Sequence, residues 1–324
     1  MPEAAILGIA VASASILAAN TIPPELSPKV SGEAVLQRAG RACLDHLLAN
    51  EQAARLGDAE GIHQMRVAVR RLRAILFLFS PCLPKEPRRS ASNELRWFAN
   101  ALGAARNLDV FVTDLLTPAK AALPKASELE RLAIASEKRR RIAHGTARKA
   151  IGSARYTASV RTLMSWFNER QWRSASECEE LMQPIGKLAP ILLQRCRHKF
   201  NQRSKRFARQ SETERHRLRV ALKRLRYATE LLAGLYDSQE VGRFIRRLKQ
   251  LQDELGYIND VQTAHELLSQ LAEPSAPETG IAYAGRRILA WHKLRLSDNE
   301  PKLRRHVRQL RQVEPFWDAK LRAS

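Results

Sequence analysis

Two stretches of this sequence place histidine and basic residues at helical spacing, a pattern suited to holding an anion. HQMRVAVRRLR covers residues 63 to 73 and HRLRVALKRLR covers residues 216 to 226, with seven of eleven positions identical at an offset of 153 residues. Since each helical residue advances about 100°, four side chains of each copy share one stripe. The first stripe contains His63, Arg66, Arg70 and Arg73, and the second contains His216, Arg219, Lys223 and Arg226. Guanidinium and ammonium groups donate charge-assisted hydrogen bonds to phosphate and carboxylate oxygens.

The first basic stripe borders an apolar stripe instead of lying opposite it. The apolar stripe contains Ile62, Met65, Val69, Leu72 and Leu76, which we expect to face the core. Like charges three and four residues apart repel each other, and residues 61–74 contain no acidic side chain to relieve them. A solvated basic face is one interpretation of this pattern. Duplication and the position beside the core favour a groove that an anion occupies.

Further basic residues lie on the neighbouring predicted helices. Arg96 and Lys249 are related by the same offset, and Arg140 belongs to a basic run in a helix predicted over 126–151. The chain carries 55 basic and 33 acidic residues, a net charge of +22. Such an excess of positive charge attracts polyanions. We expect the basic faces to converge on a cationic central groove.

Hydrophobic periodicity predicts an all-α protein. Apolar residues recur every three or four positions almost throughout, and strand signals are nearly absent. Proline and glycine punctuate the chain at 20–32, 81–87, 117–125, 181–190 and 272–280. The predicted helices lie near 33–56, 61–80, 88–102, 107–116, 126–151, 156–169, 188–208, 213–235, 239–256, 260–271, 279–296 and 300–312.

The second half of the chain repeats the first. The offset of 153 also relates Leu102-Gly103 to Leu255-Gly256, and Asn107 to Asp260. We therefore expect two similar helical bundles, over 31–180 and 181–324, related by a pseudo-twofold axis. Residues 1–30 form a separate N-terminal segment, which we expect to be packed or frayed.

Cysteine usage and hydropathy indicate a cytoplasmic protein. Cys43, Cys82, Cys178 and Cys196 lack metal-site spacing, so we expect reduced core thiols. The uncharged run over 5–19 is shorter than the roughly 20 residues of a membrane span. Glu3 precedes this run, where a secretory signal would carry a basic residue. We expect no membrane partner.

Nucleic acid is the first polyanion to consider. Aromatic residues make up only 6% of the chain and do not interleave with the basic stripes. The stripes therefore offer few aromatic side chains on which bases could stack. The sequence contains no zinc-finger, RRM or KH pattern. A nucleic-acid-binding, nucleoid-associated protein stays open as the alternative.

Four motifs in order resemble the CHAD domain, the conserved histidine α-helical domain. They are H-x-x-R-V-A-x-R-R-L-R at 63 to 73, L-G-A-A-R-N-L-D-V at 102 to 110, H-R-L-R-V-A-L-K-R-L-R-Y at 216 to 227 and L-G-Y-I-N-D at 255 to 260. The resemblance covers about residues 30 to 320. The family's first half usually reads R-D-x-D-V, and this chain has Asn107 where the first Asp is expected.

The resemblance implies two helical bundles and a basic channel that binds inorganic polyphosphate, with association to polyphosphate granules. Carried over by position, the binding residues are the eight of the two stripes. Arg71 and Arg224 also match, although a helix turns them about 80° away from the histidines. With Arg96, Lys249 and Arg140, these thirteen residues are the predicted site. Inorganic polyphosphate is the expected partner, and other polyanions are further candidates.

The sequence predicts binding without catalysis, and neither a cofactor nor a metal ion. The E-x-E-x-K signature of the CYTH triphosphatase domain, to which family members are sometimes fused, is absent. Asp109 and Asp260 could ligate magnesium, but we expect them to cap a helix after an LG turn and to pair with cations. His63 and His216 could donate to phosphate or satisfy core hydrogen bonds. A phosphohydrolase or phosphotransferase stays open as a third class.

Overall fold

A computed structural model describes residues 26–123, 126–174, 176–271 and 280–318. The all-α prediction is confirmed, because helices dominate these ranges and no β-strand forms in them. Residues 1 to 25, including the apolar run over 5–19, lie outside the described part. The α-helices are α1 (Gly32–Ala49), α2 (Glu51–Leu56), α3 (Ala59–Leu78), α4 (Lys85–Ala101), α5 (Gly103–Val110), α6 (Thr117–Ala122), α7 (Glu128–Ile151), α8 (Ala154–Asn168), α9 (Ile185–Arg203), α10 (Glu212–Leu232), α11 (Ser238–Leu271) and α12 (Ile281–Gln312).

Side-chain caps set where the two helices with basic stripes begin. The carboxylate of Asp58 accepts hydrogen bonds from backbone N–H groups in the first turn of α3. Ser211 and Glu214 form a reciprocal capping box at the start of α10. Gly57, at φ 93°, ends α2 in the left-handed conformation that glycine adopts without strain. Because a cap contributes about 1 kcal/mol, these residues help to fix the rotation and register of both stripes.

Several helices run through residues at which the sequence predicts a break. Gly256 lies inside α11, so the predicted LG turn is wrong there, whereas α4 ends at Ala101 and a turn at Leu102 separates it from α5, as the first LG pair predicts. Pro301 lies inside α12, where it lacks the backbone N–H that would donate to Ser297, an exposed residue one turn earlier. The segment over 117–122 is the helix α6, which has Pro118 in its first turn. Between α5 and α6 the chain forms a wider π-helical segment, Phe111–Leu116.

Helix starts recur at the 153-residue offset of the sequence repeat. The pairs are α1 with α9, α3 with α10, α4 with α11 and α7 with α12, which begin at Gly32 and Ile185, Ala59 and Glu212, Lys85 and Ser238, and Glu128 and Ile281. Three of these pairs, α1 with α9, α3 with α10 and α7 with α12, also contact each other. Such packing of equivalent helices is compatible with a pseudo-twofold axis, which stays a prediction, as do the two domain boundaries.

The core spans both halves of the chain. One apolar cluster joins the buried faces of α3 and α10 with α1, α4, α8, α9 and part of α11. A second cluster packs the π-helical segment and α6 against α7, α11 and α12. The apolar stripe of α3 is buried as predicted, and each large aliphatic side chain in it contributes about 1.5–3 kcal/mol. Burial of this face leaves the basic stripe at the edge of the core.

Cys43 and Cys196 are buried and unpaired, as predicted, Cys82 is also buried, and the side chain of Cys178 lies outside the described part. None of the described helices has the length and apolar character needed to cross a membrane.

Candidate anion-binding groove

A groove of about 1380 Å³ lies over the contact between α3 and α10 and extends along α4. Its acidic lining residues are Glu86 and Glu266, against eleven basic or histidine side chains. The basic set is Arg66, Arg70 and Arg73 from α3, Lys85, Arg88, Arg89 and Arg96 from α4, and His216, Arg219, Lys223 and Arg224 from α10. The two stripes thus meet in one concave surface with a large excess of positive charge.

Two of the groove arginines are held by neutral oxygens. Arg66 donates from Nη1 to the backbone oxygen of Ala99 at 3.3 Å, and Arg219 donates from Nη1 to Oδ1 of Asn259 at 3.0 Å. The Nε–H groups of Arg66 and Arg219 are buried and have no hydrogen-bond partner within the described ranges. Because neutral partners leave the charge uncompensated, both guanidinium groups keep their attraction for an anion.

Arg70 and Lys223 have neither a hydrogen bond nor a carboxylate within 4 Å among the residues that the structure describes. Both are half-buried and line the groove between the stripes. A partly buried charge without a partner costs free energy. A bound anion would offset this cost, so these two side chains are the best candidates to bind one.

Crowding depresses the pKa values of the groove cations. Burial, together with the charges of Arg219 and Arg70, lowers the pKa of Lys223 to about 7. Burial and the neighbouring Arg70 lower the pKa of Arg66 to about 10. Asp260, half-buried on α11, partly offsets the charge on Arg219 and Lys223, and its own burial raises its pKa. The empty groove therefore disfavours its own positive charge, which an anion would stabilise.

Asn259 organises the second-half stripe. Its Oδ1 accepts from His216 Nδ1 at 3.1 Å as well as from Arg219, and its Nδ2 donates to Thr263 Oγ1 at 3.4 Å. With Nδ1 as the donor, the exposed His216 can also donate to an anion from Nε2 only when both of its ring nitrogens carry a proton. Asn259, part of the L-G-Y-I-N-D motif, lies inside α11 and accepts hydrogen bonds from two predicted site residues.

A second cationic cluster lies where the groove follows α4. The guanidinium of Arg224 lies 3.9 Å from the ring centroid of Phe77, and Arg195 lies 4.8 Å from the same centroid. Burial and the charge of Arg96 lower the pKa of Arg73. Sequence reasoning missed Phe77 as a groove residue, although its position four residues after Arg73 places it on the same helix face.

Two predicted site residues are engaged by carboxylates of the same chain. Arg226 pairs with Glu230 at 3.1 Å, one helical turn away. Arg140 pairs with the buried Asp109 at 2.7 Å and with Glu137 at 3.3 Å. Neither arginine lines the groove. Because their charges are already compensated, we leave them out of the proposed site.

Three further predicted residues also lie away from the groove lining. Arg71 lies close enough to Cys43 and His46 of α1 for its charge to act on both, although burial is the larger effect and raises the pKa of Cys43 to about 12 while it lowers that of His46. Lys249 is exposed on α11. His63 is half-buried, and burial followed by the charge of Arg106 lowers its pKa, which favours the neutral ring. We leave these three out as well.

Asp109 and Asp260, the aspartates of the two LG motifs, do not begin helices. Asp109 lies within α5, where its Oδ1 accepts from Arg140 and lies 2.8 Å from His144 Nε2, and Asp260 lies within α11. The N-cap prediction is therefore wrong for both, because the helices run through these positions. The ion-pair prediction is confirmed for Asp109. In the described ranges no three His, Cys, Asp or Glu side chains group as metal ligands would.

Residues 38–269 match the family model of the CHAD domain, and the chain belongs to this family. A crystal structure of the CHAD domain from the plant Ricinus communis is similar, with 30% sequence identity and a TM-score of 0.77 over 92% of this chain and 96% of that one. PptA from Streptomyces chartreusis shares the fold at 19% identity, with a TM-score of 0.61 over 88% of this chain and 100% of that one. No curated protein sequence matches the chain.

Proposed function

We propose that this chain binds inorganic polyphosphate in the groove through charge-assisted hydrogen bonds, without covalent chemistry. The observation that carries the proposal is the pair Arg70 and Lys223, which face the groove from two helices without an anionic partner in the described structure. The proposed site comprises Arg66, Arg70, Arg73, Arg96, His216, Arg219, Lys223 and Arg224. Lys85, Arg88 and Arg89 extend it along α4.

The shape and chemistry of the groove favour a linear phosphate chain. Polyphosphate carries charge along its whole length, so it can contact successive cations from the α3 and α10 contact to α4. It has no bases that need a stacking surface. Phe77 offers little to a base, because Arg224 already covers its ring. Binding of this kind would collect the chain at polyphosphate granules in the cytoplasm.

A competition experiment separates this function from nucleic-acid binding. Labelled long-chain polyphosphate is bound to the protein, and duplex DNA is added in charge-equivalent excess. We expect the complex to persist. We also expect affinity to fall steeply as the salt concentration rises, because the release of counterions from the polymer then contributes less free energy to binding. Displacement of the label by an equivalent charge of DNA would favour the nucleic-acid alternative and refute the proposal.

A second experiment separates binding from hydrolysis. The protein is incubated with long-chain polyphosphate and magnesium, and orthophosphate and chain length are measured over time. We expect no orthophosphate release and no shortening. Release that scales with protein concentration and is lost in the Arg70→Glu, Lys223→Glu double variant would assign the groove to a phosphohydrolase.

A further inference from the structure

We propose that Lys223 is an acylation site for acyl phosphates, small molecules in which a carbonyl carbon is joined to a phosphate group. The inference rests on the proposed affinity of the groove for phosphate. It adds a covalent modification and a way of regulating the site.

The surroundings of Lys223 combine an accessible amine with a cluster of phosphate-binding groups. Lys223 lines the groove and is half-buried. The charged groups that act on it are Arg219 on its own helix, Arg66 and Arg70 on α3, and Asp260 on α11. Asp260 lies beyond ion-pair distance, and Lys223 makes no salt bridge in the described part of the chain. Three guanidinium groups therefore surround the amine without a carboxylate holding it.

This arrangement keeps part of the amine unprotonated at neutral pH. Burial and the charges of Arg219 and Arg70 lower the pKa of Lys223 to about 7. An uncharged amine carries a free electron pair, and desolvation beside other cations is a known means of making lysine nucleophilic. An ordinary exposed lysine, with a pKa of about 10.4, is almost wholly protonated at the same pH.

The groove would hold the phosphate group of an acyl phosphate at its arginines and the acyl group beside Lys223. Arg70 and Arg219 donate to the phosphate oxygens and offset their negative charge, so that part of the Lys223 amine stays unprotonated while the carbonyl carbon lies near its Nζ. The nitrogen electron pair forms a bond to that carbon, and the bond from carbon to the bridging oxygen breaks. Inorganic phosphate leaves with the bond electrons, and the nitrogen loses one proton to solvent. The product is an uncharged amide, and the step needs no other reactant.

Acylation would weaken the proposed binding of polyphosphate. Acylation removes one positive charge from the groove, because the charged amine of Lys223 becomes a neutral amide. A hydrogen bond to a charged group contributes enough that its loss lowers affinity by about tenfold. Bound polyphosphate would in turn shield Lys223, since both ligands use the same arginines.

The test uses acetyl phosphate and the unmodified full chain at pH 7.5, without polyphosphate. Mass spectrometry follows acetylation of each lysine with time, and the exposed Lys249 is the internal reference. We expect Lys223 to be acetylated at least about tenfold faster than Lys249, because a much larger fraction of its amine is uncharged. Sulfate, which competes for the arginines, should slow the reaction at Lys223 and leave Lys249 unaffected.

Acetylation of Lys223 no faster than that of Lys249, or insensitive to sulfate, would overturn the inference. Polyphosphate binding is measured separately on unreacted protein, so failure of the proposed function is seen independently of the acetylation rate. A Lys223→Gln variant, which mimics the amide, should bind polyphosphate about tenfold more weakly than the wild type. Wild-type affinity in that variant would overturn the regulatory role.

Discussion

Arg219 of α10 donates a 3.0 Å hydrogen bond to the side-chain oxygen of Asn259 on α11. This bond crosses a helix interface and holds a groove cation without neutralising it. In the first half the position equivalent to Asn259 is Arg106, whose charge acts on His63 and Arg66. The two halves therefore position their equivalent cations by different means.

We expect Asn259→Leu to weaken polyphosphate binding by roughly three- to tenfold, because Arg219 and His216 both lose their acceptor. Fluorescence anisotropy with a labelled chain measures the change. Asn299→Leu is the matched control, since Asn299 is exposed on α12 and donates only to its own helix at Arg295. Equal affinities for the two variants would show that Asn259 does not position the site.

Affinity for polyphosphate should rise as pH falls from 8 to 6. The pKa of Lys223 is about 7 in the empty groove, and a bound anion raises it, so binding takes up a proton above pH 7. Stability of the free protein should change in the opposite sense. Because the unfolded chain holds this proton to about pH 10, the contribution of Lys223 to stability increases as pH rises above 7.

Lys223→Arg tests whether this lysine is the source of the pH dependence. Arginine stays protonated across the range, so its binding profile should be flatter than that of the wild type between pH 8 and 6. Isothermal titration calorimetry in buffers of different ionisation enthalpy reports the proton uptake. An unchanged slope in Lys223→Arg would show that Lys223 is not the source of the pH dependence.

Asp109 is expected to stabilise the fold away from the groove. Asp109→Ala leaves the buried ends of Arg140 and His144 without their shared acceptor, and loss of one partner of a buried pair costs about 3 kcal/mol. Thermal unfolding should show a midpoint lower by several degrees. Asp298→Ala, at an exposed position on α12, should leave the midpoint unchanged. A normal midpoint in Asp109→Ala would show that the pair contributes little.

Helical periodicity was sufficient to predict the fold class and most of the groove floor. Six of the eight stripe residues line the groove, because a side chain beside the apolar stripe of a packed helix must lie at the edge of the core. Arg226 could have been set aside from the sequence, since Glu230 follows it by four residues.

The remaining differences arise from contacts between distant segments. Arg71 and Arg224 are equivalent in the repeat, yet Arg71 lies beside α1 whereas Arg224 lies over Phe77 in the groove. The partner of Arg140, Asp109, is 31 residues away along the chain. The depressed pKa of Lys223 depends on arginines from two helices. Spacing within one helix carries no information about any of these contacts.

The most direct measurement is the affinity for long-chain polyphosphate of the Arg70→Glu, Lys223→Glu double variant. Its matched control, Arg247→Glu with Lys249→Glu, makes the same charge change at exposed positions of α11 outside the groove. We predict a loss of at least about 100-fold in the groove variant, because two charge-assisted contacts become repulsions, with helix content unchanged by circular dichroism. Equal losses in both variants, or unfolding that accompanies the loss, would contradict a groove-based site.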